Sequence, residues 1–518
     1  MASHASLYRR PGGPWDLPSL DSLLSTSSRS HSIVDGAGRL GAAEIEHRVA
    51  ALAGWLLSLG ARRHDVVAFQ LPNGVDAALL YRACWRIGAV AAPVHHRAGI
   101  REIEAVLSQL PPVIFISSPR MAAADLAPGA VKSHVVSAAI RDDPRAHGPA
   151  VNLHASPARP GDLAVVLFTS GSTGPPKAVL HTQRALAYKA TTMVLAHGLG
   201  PDDATLMPAP LAHISGLLNG VLLPCVAGMR SVLMERWDPE KALALIDSHH
   251  VTFMAGPPTF FVTMASARSS TRRPGLAGGT MRLISTGGAA VTPAFVDATT
   301  EAFDCRVKRT YGSTEAPTVA TTSPADPPEQ ARATDGRVVG EAELKVVDPM
   351  TLTKAGAGRP GELWVRGPEL FAGYADADDT TAAIASPGRW FRTGDLAVIT
   401  DDGCLTITGR IKEIIIRGGE NVSMREVEEV LESHPAVQQA ACAGVPDPVL
   451  GERVGAVVVA SATFDVDECK RWFASRGVAR FKVPDLIVTT RRIPLLAAGK
   501  IDRGAVRELL SAGWRSPR

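Results

Sequence analysis

The stretch Leu163-Ala-Val-Val-Leu-Phe-Thr-Ser-Gly-Ser-Thr-Gly-Pro-Pro-Lys177 carries an apolar strand into a turn of glycines and hydroxyls that a lysine closes. A second apolar segment, residues 178–180, leaves the turn. Such a loop offers backbone N–H groups and the hydroxyls of Thr169, Ser170, Ser172 and Thr173 around the Lys177 cation, with Gly171 and Gly174 giving the backbone room. A polyphosphate needs those things: close backbone approach, oriented donors and positive charge. The loop is not a Walker A motif, because Gly174 is followed by Pro175, Pro176, Lys177 and Ala178 rather than by Lys and then Ser or Thr. A glycine-rich loop alone also describes a hairpin turn, so the surrounding chain has to decide.

Around the loop, helical and strand patterns alternate. Residues 43–59, 77–87 and 100–107 have helical spacing, while 66–71 and 89–94 read as strands. The alternation resumes at Gly161 with a strand, the loop, a helix over 182–195 and an apolar helix over 214–226. Residues 251–254 and 283–285 read as short buried strands that run into Gly- and Pro-rich turns. These are βαβ units of parallel sheets, whose ligands sit at the carboxyl ends of the strands. Residues 318–338 read as a surface connection, and 341–347, 361–365 and 405–408 as antiparallel strands. Ser423 and Glu426 form a capping box for a helix that presents Val427, Val430 and Leu431 on one face. Strands over 437–445, 456–459 and 486–489 surround a helix over 467–475. The expected fold class is α/β: a large N-terminal domain, residues 1–409, of βαβ-type sheets plus a β region, and a small α+β C-terminal domain, 413–518, joined at 410–412.

At 518 residues the chain exceeds what one hydrophobic core supports. With Lys plus Arg at 54 and Asp plus Glu at 51, its charge gives no argument for nucleic acid or an anionic membrane. Six cysteines without a CxxC pair argue against a zinc site or a disulfide framework and fit a reducing compartment. The first residues contain no signal-like apolar stretch. Residues 205–229 have no charged side chain and are long enough to span a bilayer, but Pro208, Pro210, Pro224, His213, Ser215 and Asn219 punctuate them. A buried helix is expected there, in a soluble, cytoplasmic protein with no transmembrane segment.

Further clusters join the loop. Tyr311-Gly-Ser-Thr-Glu315 puts an aromatic ring, hydroxyls and a carboxylate in one turn, groups suited to stacking a purine, holding a phosphate and binding Mg²⁺ through oxygen. Arg392-Thr-Gly-Asp395 sets a carboxylate after a glycine, suited to ribose hydroxyls. Gly409-Arg-Ile-Lys-Glu413 leads to Arg417-Gly-Gly-Glu-Asn421, and Gly499-Lys-Ile-Asp-Arg503 places a lone lysine in a loop. Singly, each reads more readily as packing, a turn residue or surface charge. Together, in this order, they resemble the ANL superfamily of adenylate-forming enzymes, in its acyl-CoA synthetase branch, across roughly residues 30 to 510.

The resemblance implies a two-step reaction: a carboxylate attacks the α-phosphate of ATP to give an acyl-adenylate, and a thiol, usually that of coenzyme A, then displaces AMP. By the same match, Thr169 through Gly174 and Lys177 hold the β- and γ-phosphates, and Gly288, Ala289, Ala290, Tyr311 and Gly312 contact the nucleotide. Thr314 contacts phosphate, Glu315 binds Mg²⁺, and Asp395 and Arg410 hold the ribose. Lys500 bridges the substrate carboxylate and the α-phosphate. Lys412 is the expected hinge of a mobile C-terminal domain, and Arg417, Gly418, Gly419 and Glu420 line the CoA passage. His213, Gly216, Gly256, Thr259, Thr286 and Gly287 line the acyl pocket, with His213 also a catalytic candidate. The pair His95-His96 lacks such support and is taken as surface.

The segments expected to form the pocket carry no Asp or Glu, which an ammonium-bearing substrate needs, so an uncharged fatty, aryl or alicyclic acid is favoured. The sequence contains no carrier segment after Arg518 and no insertion within 401–422, which favours a free-standing enzyme using CoA. The alternatives are an acyl-AMP ligase loading a carrier protein and a luciferase-like oxygenase; the resemblance also allows a homodimer. Lys500→Ala is expected to abolish carboxylate-dependent pyrophosphate release while sparing thioester formation from pre-made acyl-adenylate. Equal loss of both half-reactions contradicts an exchange of domain faces between them.

Overall fold

Buried parallel strands organise the first three-fifths of the chain. The computed structural model describes residues 8, 13–27, 30–121, 126, 131, 133–136, 140, 157–169, 176–270, 279–289, 291–323, 326–417, 420–447, 449–496 and 501–513. In a nine-stranded sheet, Ser32–Asp35, Arg230–Leu233, Ala204–Met207, Phe253–Gly256, Leu283–Gly287 and Arg306–Tyr311 run parallel side by side. Leu206, Met254 and Ile284 are wholly buried. Covered parallel strands of this kind read as unbroken apolar runs. A seven-stranded sheet holds Val66–Gln70, Val90–Pro93 and Leu163–Phe168, with Ala178–Thr182 antiparallel beside the last. Trp390–Ile399 anchors a smaller antiparallel sheet with Gly361–Arg366 and Leu405–Arg410.

The predicted alternation of elements is observed. Helices span Ala42–Ser58, Val75–Arg86, Ile100–Gln109 and Gln183–His197. The last starts at Thr182, whose hydroxyl accepts from the Ala185 N–H, and ends at Gly198 in the left-handed region, φ 58°. It carries Lys189 inward. There Nζ lies 3.1 Å from Glu369 Oε1, with both side chains fully buried, and donates to the Thr318 carbonyl at 2.9 Å. Thr318 holds φ 41°, a conformation a β-branched residue keeps only under constraint.

Two expectations are corrected. Residues 318–338 are not a surface connection: Ala320–Thr321 and Arg337–Val338 add antiparallel strands to the nine-stranded sheet. Buried Asp335 pairs there with buried Arg309 at 3.1 Å. A composition rich in Pro, Ala, Asp and Thr concealed strands of two residues each. Residues 205–229 are not one helix either. Ala204–Met207 is a central strand, and the helix that follows has ordinary turns at Ile214–Leu217 and Leu223–Ala227 around a π-helical turn, Leu218–Leu222. Ser231 Oγ donates to the Gly220 carbonyl inside that wider turn at 2.6 Å.

Among the described residues, the apolar clusters from Ile415 onward draw only on residues 415–510. Gly451–Ala460 pairs with Val437–Asp447 and, in parallel, with Leu486–Thr489. Helix Met424–Glu432 is capped by Ser423, but the Glu426 carboxylate goes to Lys482 at 2.5 Å, so only half of the reciprocal box forms.

Removing one member of a buried ion pair strands the other charge, at a cost of about 3–5 kcal/mol. Lys189→Met is therefore expected to lower unfolding free energy by about that amount in urea titrations. Adding Glu369→Leu should recover most of the loss.

Candidate active site

Tyr311 ends the strand Arg306–Tyr311, and the chain then folds back on itself. The Val319 N–H donates to the Tyr311 carbonyl at 2.9 Å and the Ser313 N–H to the Ala316 carbonyl at 3.0 Å. A Cβ on Gly312 would lie 2.3 Å from the Thr318 nitrogen, so this turn admits only glycine there. Tyr311 Oη donates to Asp395 Oδ2 at 2.6 Å, and Arg410 Nε donates to the other oxygen, Oδ1, at 2.6 Å. Asp395 and Arg410 are direct cross-strand partners. Burial first, then the Asp395 carboxylate, pushes the Tyr311 phenol well above its ordinary range. Asp395 raises the Arg410 guanidinium in turn. The ring of Tyr311 is thus fixed by a carboxylate that Arg410 holds from its other oxygen.

The other end of the turn is fixed as well. Tyr374 Oη donates to Glu315 Oε1 at 2.7 Å, and the Phe371 N–H donates to the Glu315 carbonyl at 2.9 Å. The Thr314 carbonyl lies 2.7 Å from His181 Nε2. Burial lowers His181 to about 4, so its ring is neutral and Nε2–H is the donor. Tyr374 sits on Gly373–Tyr374, a strand paired with Ala178–Thr182. Lys177, just before that strand, lies 5.1 Å from the Tyr374 ring centre, with Nζ 2.5 Å from Asp379 Oδ1. At the mouth of the loop, the Thr169 N–H donates to the Lys177 carbonyl at 3.0 Å and the Lys177 N–H to Thr169 Oγ1 at 3.2 Å. Ser170, Gly171, Ser172, Thr173 and Gly174 lie outside the described residues, as do Ala290, Gly418, Gly419 and Lys500.

The acyl-pocket candidates come together at the carboxyl ends of neighbouring strands. Gly256 is in register with Thr286, and Gly287 with Thr310. A Cβ on Gly287 would stand 2.1 Å from the Thr310 carbonyl oxygen. Gly288 follows with φ 75°, and Ala289 is exposed. Thr259 lies in the first turn of helix Pro258–Ser270, and His213 caps the helix that contains Gly216, its carbonyl accepting from the Leu217 N–H. His95 and His96 are half-buried rather than freely exposed. Their rings stack at 4.5 Å, and His95 lies 5.1 Å from His213. Arg417 and Glu420 face each other across a hairpin, with the Arg417 guanidinium engaged by Asp485 at 2.6 Å. Lys412 lies in the single turn Ile411–Glu413.

Sequence reasoning missed Tyr374, Asp379 and His181. The one available signal was position: Gly373-Tyr374 and the acidic run Asp376 to Asp379 follow an apolar segment, and Asp376 caps helix Ala377–Ala383.

The sequence matches the AMP-binding enzyme family over residues 25–375 and the AMP-binding enzyme C-terminal domain over 426–500. The chain belongs to the AMP-binding enzymes, within the ANL adenylate-forming superfamily. It is 32% identical to the medium-chain fatty-acid–CoA ligase of Escherichia coli (strain K12) over 495 residues, 90% of this chain and 84% of that one. It is 32% identical to the salicyl-AMP ligase / salicyl-S-ArCP synthetase of Mycobacterium tuberculosis over 539 residues, 98% of this chain and 93% of that one. The crystal structure of ATP-bound MatB from Rhodopseudomonas palustris superposes with a TM-score of 0.86 at 27% identity, covering 95% of this chain and 98% of that one. As an AMP-binding enzyme, the chain is an ATP-dependent, adenylate-forming ligase that activates a carboxylic acid. Among the described residues no helix is long and apolar enough to cross a membrane.

Asp379 pairs with the Lys177 cation, which the family resemblance assigns to phosphate. Exposed pairs of this kind are worth about 0–1 kcal/mol. Asp379→Asn is therefore expected to lower the KM for ATP by up to about fivefold in pyrophosphate-release kinetics. Lys177→Ala should raise it.

Proposed function

We propose that this ligase joins an uncharged fatty, aryl or alicyclic acid to coenzyme A, with release of AMP and pyrophosphate. The observation that carries the reading is two sets of contacts around one glycine turn: Lys177 over the Tyr374 ring, with Tyr374 hydrogen-bonded to Glu315, and Asp395 accepting hydrogen bonds from both Tyr311 and Arg410. They bring a cation, aromatic rings and a carboxylate–guanidinium pair around that turn, the kinds of group a nucleotide needs. Tyr311 would stack on adenine, Asp395 and Arg410 would hold the ribose, and Thr314 would contact phosphate. Lys177 would steady the departing pyrophosphate.

The carboxylate nucleophile is already ionised, so the step needs no base. It needs positive charge where an anion meets an anion, the role proposed for Lys500. Glu315 suits Mg²⁺: its Oε1 accepts from Tyr374, and among the described residues its Oε2 has no protein partner. That donor set fits an ion held by one carboxylate together with substrate phosphates. Bound there, Mg²⁺ would neutralise charge on the triphosphate. Thioester formation would follow rotation about Lys412, within a boundary at 410–412, bringing residues 417–421 to the site. Its support is the separate set of apolar clusters beyond residue 415.

Relatives of similar identity include feruloyl-CoA synthase from Amycolatopsis sp as well as the salicyl-S-ArCP synthetase, so the acceptor is the point to test. Fatty and aryl acids should be assayed for AMP release with CoA, with a phosphopantetheinylated carrier protein, and with neither. Acid-dependent AMP release that multiplies on adding CoA is the expected result. Stimulation by the carrier protein alone would overturn the CoA assignment.

A further inference from the structure

Gln70 ends the strand Val66–Gln70 and is fully buried. Its side-chain amide donates to the carbonyls of His95 at 3.0 Å and Ala98 at 2.9 Å. This pins the segment after the neighbouring parallel strand, Val90–Pro93. The Arg97 N–H donates to His95 Nδ1 at 3.0 Å, so Nδ1 holds a lone pair. A neutral imidazole accepting at Nδ1 carries its proton on Nε2. Burial, reinforced by His213, His96 and Arg97, holds His95 neutral by lowering it to about 3. Its Nε2–H is shut off from solvent and, among the described residues, has no acceptor. The ring stacks with His96 at 4.5 Å and lies 5.1 Å from the ring of His213, the candidate acyl-pocket residue.

A buried donor without an acceptor is costly, and enclosed N–H groups are nearly always paired. Backbone and stacking contacts fix this ring beside His213, leaving a buried donor next to the expected acyl pocket. We propose that His95 is a specificity-determining residue whose Nε2–H donates to an oxygen acceptor on the acyl group, so that the enzyme selects acids bearing an ether, carbonyl or hydroxyl away from the carboxylate. This rests on the ligase reading and on His213 bordering the acyl pocket. It narrows the substrate class from uncharged acids in general to acids with an internal acceptor.

The test measures kcat/KM for pyrophosphate release with matched acids: 2-, 3- and 4-methoxybenzoate against the corresponding ethylbenzoates, and 4- and 6-oxooctanoate against octanoate. The wild-type enzyme is expected to prefer at least one acceptor-bearing acid by about ten- to a hundredfold. His95→Phe, which keeps a ring in the stack, should bring that ratio close to one without changing the KM for ATP. His95→Gln, which restores a donor, should keep part of it. Thermal unfolding identifies a variant that fails to fold, in which case His95→Met is read instead. A ratio that survives in His95→Phe, or the absence of any such preference in the wild type, overturns the proposal while leaving the ligase reading intact. No acid-dependent pyrophosphate release from folded wild type with any acid overturns the ligase reading and this one with it.

Discussion

Lys189 is the point at which the parts of the candidate site are held to one another. Its ammonium is fully buried between Glu369 and the Thr318 carbonyl. Helix Gln183–His197, which bears it, follows directly from the strand after the phosphate-loop candidate. Thr318 belongs to the turn that carries Tyr311 and Glu315, and Glu369 lies shortly before the strand that carries Tyr374. One charge therefore ties together three segments from two sheets. Its neutralisation depends on all three keeping their places, because a buried ammonium released from its partners has no solvent to turn to. The left-handed Thr318 is the strain accepted for this arrangement.

The same logic explains why the site residues come in hydrogen-bonded pairs. Tyr311 and Tyr374 each donate to a carboxylate, so each ring is oriented by the group beside it. A site built to handle a triphosphate has to present its donors before the ligand arrives, since reorganising them during reaction would raise the barrier. Cross-strand pairing of Asp395 with Arg410 provides this preparation using backbone geometry alone.

Much of this was legible in the sequence, for reasons that differ from element to element. Parallel strands such as Phe253–Gly256 announced themselves through apolar runs ending in glycine or proline, and capped helices such as Met424–Glu432 through Ser423. The family was readable because the order of its motifs is specific. What stayed hidden depended on distant partners. Tyr374 gains its role only from the pairing of Gly373 with Leu180, and the two-residue strands Ala320–Thr321 and Arg337–Val338 are too short to show a period. The pair His95-His96 looked polar and exposed because nothing local reveals that Gln70 and His213 enclose it.

The π-helical turn at Leu218–Leu222 divides its helix into a forward section beginning at His213 and a rear section packed in the core. One additional residue in a helix swings everything beyond it by about 100°. The wide turn absorbs such a swing, and Ser231 quiets the carbonyl it exposes. The two sections therefore have independent angular settings. The face presented by His213 and Gly216 can be re-aimed by lengthening or shortening that single turn, while Leu223 and Cys225 remain seated in the interior.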